Sequence, residues 1–225
     1  MSRRLVAMLL CVLCTTAAMG GDIAMFENLG FDRDGRTFAF GQYGLTVDNA
    51  NPYAEIYVVD VAGNRFVSNG VFSLSSSEPT SLGQDGRGAF YELLGEAGSV
   101  LRSRGVDHIS TGRPVYILVD GEEPRERLTF RDFNTSTRYD VRLSQNGRGT
   151  GEASQASYYI DLTLTMANES VRTFTIGRPG YYRDGVANYR ITQILVGPDD
   201  DSVVFVVQKR MYDGSIRYMV ETLSL

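Results

Sequence analysis

Tyr158-Tyr159-Ile160-Asp161-Leu162-Thr163-Leu164-Thr165-Met166 places Tyr158, Ile160, Leu162, Leu164 and Met166 in alternation with Tyr159, Asp161, Thr163 and Thr165. Arg138-Tyr139-Asp140-Val141-Arg142-Leu143 repeats the pattern with charged residues at the intervening positions. A period of two puts alternate side chains on opposite faces, so both stretches predict strands with one dry and one wet face. Residues 115–119 and 203–207 are apolar at nearly every position, which predicts central strands covered on both sides. Residues 127–133, 172–176, 189–196 and 216–223 are further strand candidates.

The turn residues agree with a mainly β chain. Asp-Gly stands at 34–35, 85–86, 120–121, 184–185 and 213–214, and Asn-Gly at 69–70 and 146–147. These pairs tolerate the positive φ that tight hairpins require. Asp120-Gly121 and Asp213-Gly214 lie between apolar runs and predict hairpins most directly. One segment breaks the period. Between Arg87 and Arg104, Phe90, Leu93, Leu94, Ala97, Val100 and Leu101 recur at spacings of three and four, an amphipathic helix. Gly95 and Gly98 weaken it, so it needs packing, and Gly105 is its expected stop. Residues 73–83 are serine-rich and read as the loop leading in. The predicted fold is therefore mainly β, antiparallel sheets in a sandwich or propeller-like blades with one amphipathic helix. A small closed propeller is the alternative.

The first twenty residues look like an export signal. Arg3 and Arg4 precede an apolar stretch at residues 5–13, and Ala18-Met19-Gly20 has small residues where cleavage would occur. The expected domain plan is a signal peptide over 1–20 and one mainly-β domain over 21–225, secreted or periplasmic. Cys11 and Cys14 both fall inside the signal, so the mature chain is expected to be cysteine-free, without disulfides or thiolate metal sites. No later run reaches 18 apolar residues, so no transmembrane span is expected in the mature chain.

Charge narrows the chemistry. The chain has 22 basic and 27 acidic residues; without the signal's two arginines the balance is 20 against 27, a net charge of −7. That sign gives no drive toward nucleic-acid phosphates. His108 is the only histidine, beside Asp107, so zinc hydrolysis and serine catalysis lack their usual partners, and no G-x-S-x-G occurs. Lys209 is the only lysine, which leaves amine chemistry and P-loops almost without candidates. No cofactor is predicted.

Phe31-Asp32-Arg33-Asp34-Gly35-Arg36-Thr37-Phe38-Ala39-Phe40, followed by Ile56-Tyr57-Val58-Val59-Asp60, is echoed near the other end. There, Val196-Gly197-Pro198-Asp199-Asp200-Asp201-Ser202-Val203-Val204-Phe205 precedes Arg217-Tyr218-Met219-Val220-Glu221. The first copy resembles the repeat of TolB-type, WD40-like propellers, departing from it at Asp32 and Arg33; the second keeps Pro198-Asp199 and replaces the glycine with Asp200. The mature chain as a whole resembles a family of bacterial predicted secreted proteins of unknown function. Phe38-Ala39-Phe40-Gly41-Gln42-Tyr43-Gly44, Tyr53-Ala54-Glu55-Ile56-Tyr57-Val58-Val59-Asp60, Phe130-Arg131-Asp132-Phe133 and Arg217-Tyr218-Met219-Val220-Glu221-Thr222 carry that resemblance. It implies secretion and brings no activity.

The candidate binding residues are Arg178, Tyr181, Tyr182, Arg183 and Asp184, in a loop joining two strand candidates. Tyrosine and arginine combine large contact area with polar handles and are favoured at recognition surfaces. No catalytic or metal-ligating residue is singled out: Asp32-Arg33-Asp34-Gly35 and Asp199-Asp200-Asp201 read as turns, and Glu122, Glu123 and Glu126 as solvated charge. The reading is a secreted or periplasmic non-catalytic binding module whose partner is an envelope protein or glycan. The alternatives are a carboxylate-dependent hydrolase of the envelope, which needs two acids facing each other across a pocket, and an outer-membrane barrel, for which most strands look short.

Overall fold

The computed structural model describes residues 21–119 and 121–225; the expected signal peptide lies outside them. Fourteen strands and one α-helix follow the chain among these residues. β1 (Met25–Asp32), β2 (Thr37–Leu45), β3 (Pro52–Asp60) and β4 (Arg65–Ser75) form an antiparallel meander that β5 (Val106–Asp107) extends beside β1. The helix α1 (Arg87–Ser103) lies between β4 and β5 in sequence. A second sheet has the order β14-β13-β12-β6, from β6 (Arg113–Ile117), β12 (Val186–Val196), β13 (Ser202–Met211) and β14 (Ile216–Ser224). The third has the order β10-β9-β8-β7, from β7 (Arg127–Arg131), β8 (Arg138–Arg148), β9 (Gln155–Thr165) and β10 (Val171–Gly177), with β11 (Arg183–Asp184) also paired to β9.

The apolar residues stack these elements in four layers. On β13, Val203, Phe205 and Val207 join a core with Tyr139, Val141, Ile160 and Leu162 of the third sheet. The alternate residues Val204 and Val206 join Phe31, Phe38, Phe40 and Val59 of the first sheet. The second sheet is therefore the middle one, and residues Ser202 to Gln208 are buried without interruption. On β2 and β3, Ala39, Tyr43, Ala54, Ile56 and Val58 point the other way, onto Phe90, Leu93, Ala97 and Leu101 of α1. The mainly-β antiparallel architecture with one helix is thus as the period of two predicts. None of the three sheets closes on itself among the described residues, so the arrangement is stacked open sheets and not a small closed propeller or a barrel. The two similar end segments are both hairpins, β1–β2 and β12–β13. They face each other across the first and middle sheets, with Leu195 and Val204 against Phe31 and Phe38.

Several local readings need correction. Residues 115–119 are not in a central strand: β6 is the edge of the middle sheet, and Ile117 and Val119 are exposed. The strands flanking Asp120-Gly121 lie in different sheets, so that pair does not connect a hairpin. Asn69-Gly70 lies inside β4, where Asn69 takes positive φ near a register shift against β3, and Asn146-Gly147 lies inside β8, whose ladder with β9 runs on to Arg148. Asp34-Gly35 and Asp213-Gly214 do turn β1 into β2 and β13 into β14.

The helix is seated by a specific absence of side chain. A Cβ at Gly41 would come within 2.5 Å of the Phe90 ring, so glycine lets α1 approach β2. Gly86 provides no side-chain cap, but the Asp85 carboxylate accepts the Arg87 N–H at 2.9 Å. Gly105 follows the helix with φ +71°, as expected of a C′ glycine. Leu94 sits on the shoulder of the packed face, half-buried, whereas Leu93 is fully enclosed. Leu93→Ala is expected to lower unfolding free energy by ~2–5 kcal/mol, and Gly41→Ala to destabilise by displacing Phe90. Urea unfolding of both variants checks this, and parental midpoints would show that α1 is not part of the core.

Candidate functional site

A cavity of about 570 Å3 opens where the three sheets meet along β14, the edge of the middle sheet. The first sheet contributes Phe40, Gln42, Glu55, Tyr57 and Val59 from the faces of β2 and β3, with Asn64, Arg65 and Phe66 at the β3–β4 turn. The middle sheet contributes Lys209 and the run Arg217 to Glu221. The loop between β10 and β11, with the start of β11, brings Arg178, Tyr181 and Arg183.

Three of the five residues singled out from sequence therefore line one cavity. Tyr182 instead lies under the Arg148 guanidinium, 4.0 Å from ring centroid to Cζ, and Asp184 accepts a hydrogen bond from Gln155. The Arg183 guanidinium stands 5.0 Å from the centroid of Tyr181, 5.4 Å from Tyr158 and 5.9 Å from Tyr189. Stacking of this kind holds the cation by its face and leaves its edge for hydrogen bonding.

The β14 edge is largely closed by side chains that imitate a neighbouring strand. Gln42 Oε1 accepts the Tyr218 N–H at 2.7 Å, and Gln42 Nε2 donates to the Tyr218 carbonyl at 3.3 Å. Asn64 Oδ1 accepts the Thr222 N–H at 2.9 Å. At the start of the strand, the Ile216 N–H donates to the Asp22 carbonyl at 2.7 Å. The ladder with β13 turns Val220 outward like Tyr218 and Thr222, and its N–H and C=O face the cavity without a partner among the described residues. Pairing of an unprotected edge with other chains is a general hazard, and here the open positions, at Val220, the Thr222 carbonyl and Ser224, are interrupted by Asn64 at the Thr222 N–H.

The two carboxylates of the cavity are held by the fold. Glu221, 6% exposed, accepts from the Tyr158 hydroxyl at 2.8 Å and from Asn64 Nδ2 at 2.5 Å. Glu55 accepts from Gln42 Nε2 at 2.6 Å. Arg217 donates two hydrogen bonds to Asp22, at 2.5 and 2.8 Å, and lies over the Tyr53 ring. Lys209 has no carboxylate within ion-pair distance among the described residues. Burial pushes its ammonium below the ordinary lysine value; Glu55 opposes that shift, and Arg183 and Arg217 add to it. Burial also pushes the phenols of Tyr57 and Tyr158 upward, helped by Glu55 and Glu221 respectively, so both stay neutral near pH 7.

The remaining sequence candidates have structural uses. Asp32 Oδ1 accepts the Thr37 N–H across the β1–β2 turn. His108 Nδ1 lies 2.8 Å from the Leu29 carbonyl, a geometry that calls for the Nδ1–H tautomer. Glu122, Glu123 and Glu126 are exposed. Asp132, buried in the turn after β7, accepts two hydrogen bonds from Arg113 at 2.7 and 2.9 Å, and Arg113 also reaches Asp200. The cavity's Glu55, Lys209, Arg217 and Glu221 were not singled out from sequence. Their only signal is charge interrupting otherwise apolar strands.

A family described as "Predicted secreted protein (DUF2259)" matches residues 39–224, from β2 to the end of β14. The chain belongs to that family. No curated protein matches it. The matched span contains every cavity residue named above, so the site lies within the part of the chain that family membership covers. No helix among the described residues is long and apolar enough to cross a membrane.

Burial would raise the Asp132 carboxyl, but hydrogen bonds from Arg113, the Asn134 N–H and the Thr135 hydroxyl outweigh it and hold the group below the usual aspartate range. A depressed native pKa contributes stability above the unfolded value near ~4, lost as pH falls through the native value. Asp132→Asn should therefore destabilise at pH 7 and flatten the loss of stability as pH falls below about 4. Denaturation at several pH values checks this; parallel pH curves for parent and variant would contradict it.

Proposed function

We propose that this protein is an exported, non-catalytic binding module of the cell envelope, and that its ligand sits in the cavity along β14. Residues 21–225 act as one unit in this reading, with residues 1–20 as the signal that directs export to the periplasm or beyond. The observation that carries it is the convergence of Arg178, Tyr181 and Arg183 on a cavity that the other two sheets also build. A recognition site needs shape, apolar walls and a few fixed polar groups. Here Tyr57, Phe66, Tyr181 and Tyr218 supply the walls, and the arginines, Lys209 and the Val220 main chain supply the polar groups. The ligand class is an envelope glycan or the surface of an envelope protein.

A second reading, a hydrolase acting through carboxylates, draws on one feature: Glu55 and Glu221 line the same cavity. Gln42 ties Glu55 to Tyr218, and Tyr218 stands three residues from Glu221 on β14. Both carboxylates already accept hydrogen bonds from the protein, which favours the binding reading.

Co-sedimentation of the purified protein with cell-wall polysaccharide tests the proposal. Arg183→Ala and Tyr181→Ala should each weaken binding about tenfold, while Tyr182→Ala, outside the cavity, should not. Equal binding by all three variants would overturn the site. Release of reducing ends that Glu221→Gln abolishes would replace the binding reading with the hydrolytic one.

A further inference from the structure

Tyr189, Lys209 and Arg217 stand side by side across β12, β13 and β14, since Tyr189 pairs with Lys209 and Lys209 with Arg217. Arg183 lies over the Tyr189 ring. The row thus places the chain's only lysine between two guanidinium groups in a half-buried position. Like charges directly opposite on neighbouring strands destabilise a sheet. Arg217 is compensated by Asp22, but no carboxylate in the described chain reaches Lys209.

A half-buried cation without a partner loses part of its hydration uncompensated, and an anion bound in the cavity would supply the missing charge. The surroundings set the kind of anion. Of the five cations lining the cavity, Arg65 and Arg217 are paired with Asp60 and Asp22, which leaves Arg178, Arg183 and Lys209 against Glu55 and Glu221. This local excess of positive charge in a chain of net −5 concentrates anions. The two glutamates repel a doubly charged group and leave room for a single charge. Tyr181 and Phe66 are 51% and 52% exposed at the rim; the guanidinium groups of Arg178 and Arg183 lie against Tyr181 and Tyr57 stacks on Phe66, and the exposed part of each ring can meet the apolar face of a sugar ring. Val220 supplies one N–H donor and one C=O acceptor, and Gln42 at Tyr218 and Asn64 at the Thr222 N–H interrupt the ladder that an extended peptide would need, while leaving enough for sugar hydroxyls.

We infer that the cavity binds a carboxylate-bearing saccharide, a hexuronate unit of an acidic glycan, with Lys209 and Arg183 taking the carboxylate and the aromatic rim taking the ring. This rests on the binding reading above and names its ligand class. Lys209 then has a functional reason to stay where the fold alone would favour an uncharged side chain.

Calorimetric titration of the full protein with a hexuronate trisaccharide, its methyl ester, a neutral hexose trisaccharide and a short peptide with a free C-terminal carboxylate tests the inference. The acid trisaccharide should bind, and the methyl ester at least tenfold more weakly. Lys209→Met should lose at least tenfold in affinity for the acid while melting no lower than the parent, because it removes an uncompensated charge. A merely structural lysine gives the opposite stability result. Equal binding of acid and ester, undiminished binding by Lys209→Met, or a sharp drop in that variant's melting temperature would each overturn the carboxylate site. Tighter binding of the peptide would overturn the saccharide assignment. If the neutral trisaccharide alone binds, and Tyr181→Ala weakens it, the carboxylate inference fails and the binding reading stands. If nothing binds, this inference fails, and the polysaccharide experiment decides the reading beneath it.

Discussion

Because residues Ser202 to Gln208 of β13 meet protein on both faces, the middle sheet cannot hold its conformation without the two sheets around it. Each fully buried valine or phenylalanine contributes about 1.5–3 kcal/mol of transfer free energy. Phe205 and its neighbours Val203 and Val207 gain it against the third sheet, and Val204 and Val206 against the first. The stack also fixes where the middle sheet ends. Its β14 edge lies between two neighbouring sheets, so the strip beside it is walled on both sides, and that strip is the cavity.

Edge protection and ligand recognition are the same structural problem here. Gln42, Asn64 and residues 22–24 occupy the hydrogen-bonding positions of β14 at Tyr218, the Thr222 N–H and Ile216, which interrupts the edge and suppresses pairing with other chains. The carboxylates that could neutralise the nearby cations are engaged by Tyr158, Asn64 and Gln42. What stays open beside the cavity is the Val220 main chain and a cluster of positive charge. The fold thereby withholds from Lys209 the partner that it gives to Arg217 and Arg113.

Much of this fold is legible in the sequence because alternation reports directly on burial. Tyr158 to Leu164 keep strict period two, and β9 buries those residues while leaving Tyr159, Asp161 and Thr163 half-covered. The run 203–207 is apolar throughout and is the central strand. Residues 115–119 carry the same signal and lie at an edge, because an apolar run records hydrophobicity and not the number of neighbouring strands. Asn69-Gly70 and Asn146-Gly147 mislead in a related way: a residue tolerant of positive φ serves a bend within a strand as well as a turn between strands. The loop holding Arg178, Tyr181 and Arg183 could be singled out by composition, and those three reach the cavity. Tyr182 and Asp184 do not, because alternate residues of β11 and its approach turn toward Arg148 and Gln155. Glu55, Lys209 and Glu221 could not be found this way. Their meeting depends on three sheets stacking, and no spacing along the chain encodes it.

The most direct measurement uses the fact that the chain has one lysine. Protein labelled with 13C at lysine Cε should give a single side-chain resonance, that of Lys209. Titration with a hexuronate oligosaccharide should move that resonance saturably, and Arg183→Ala should weaken the response. A Lys209 resonance that stays fixed while the same saccharide demonstrably binds would place the ligand elsewhere and contradict the account.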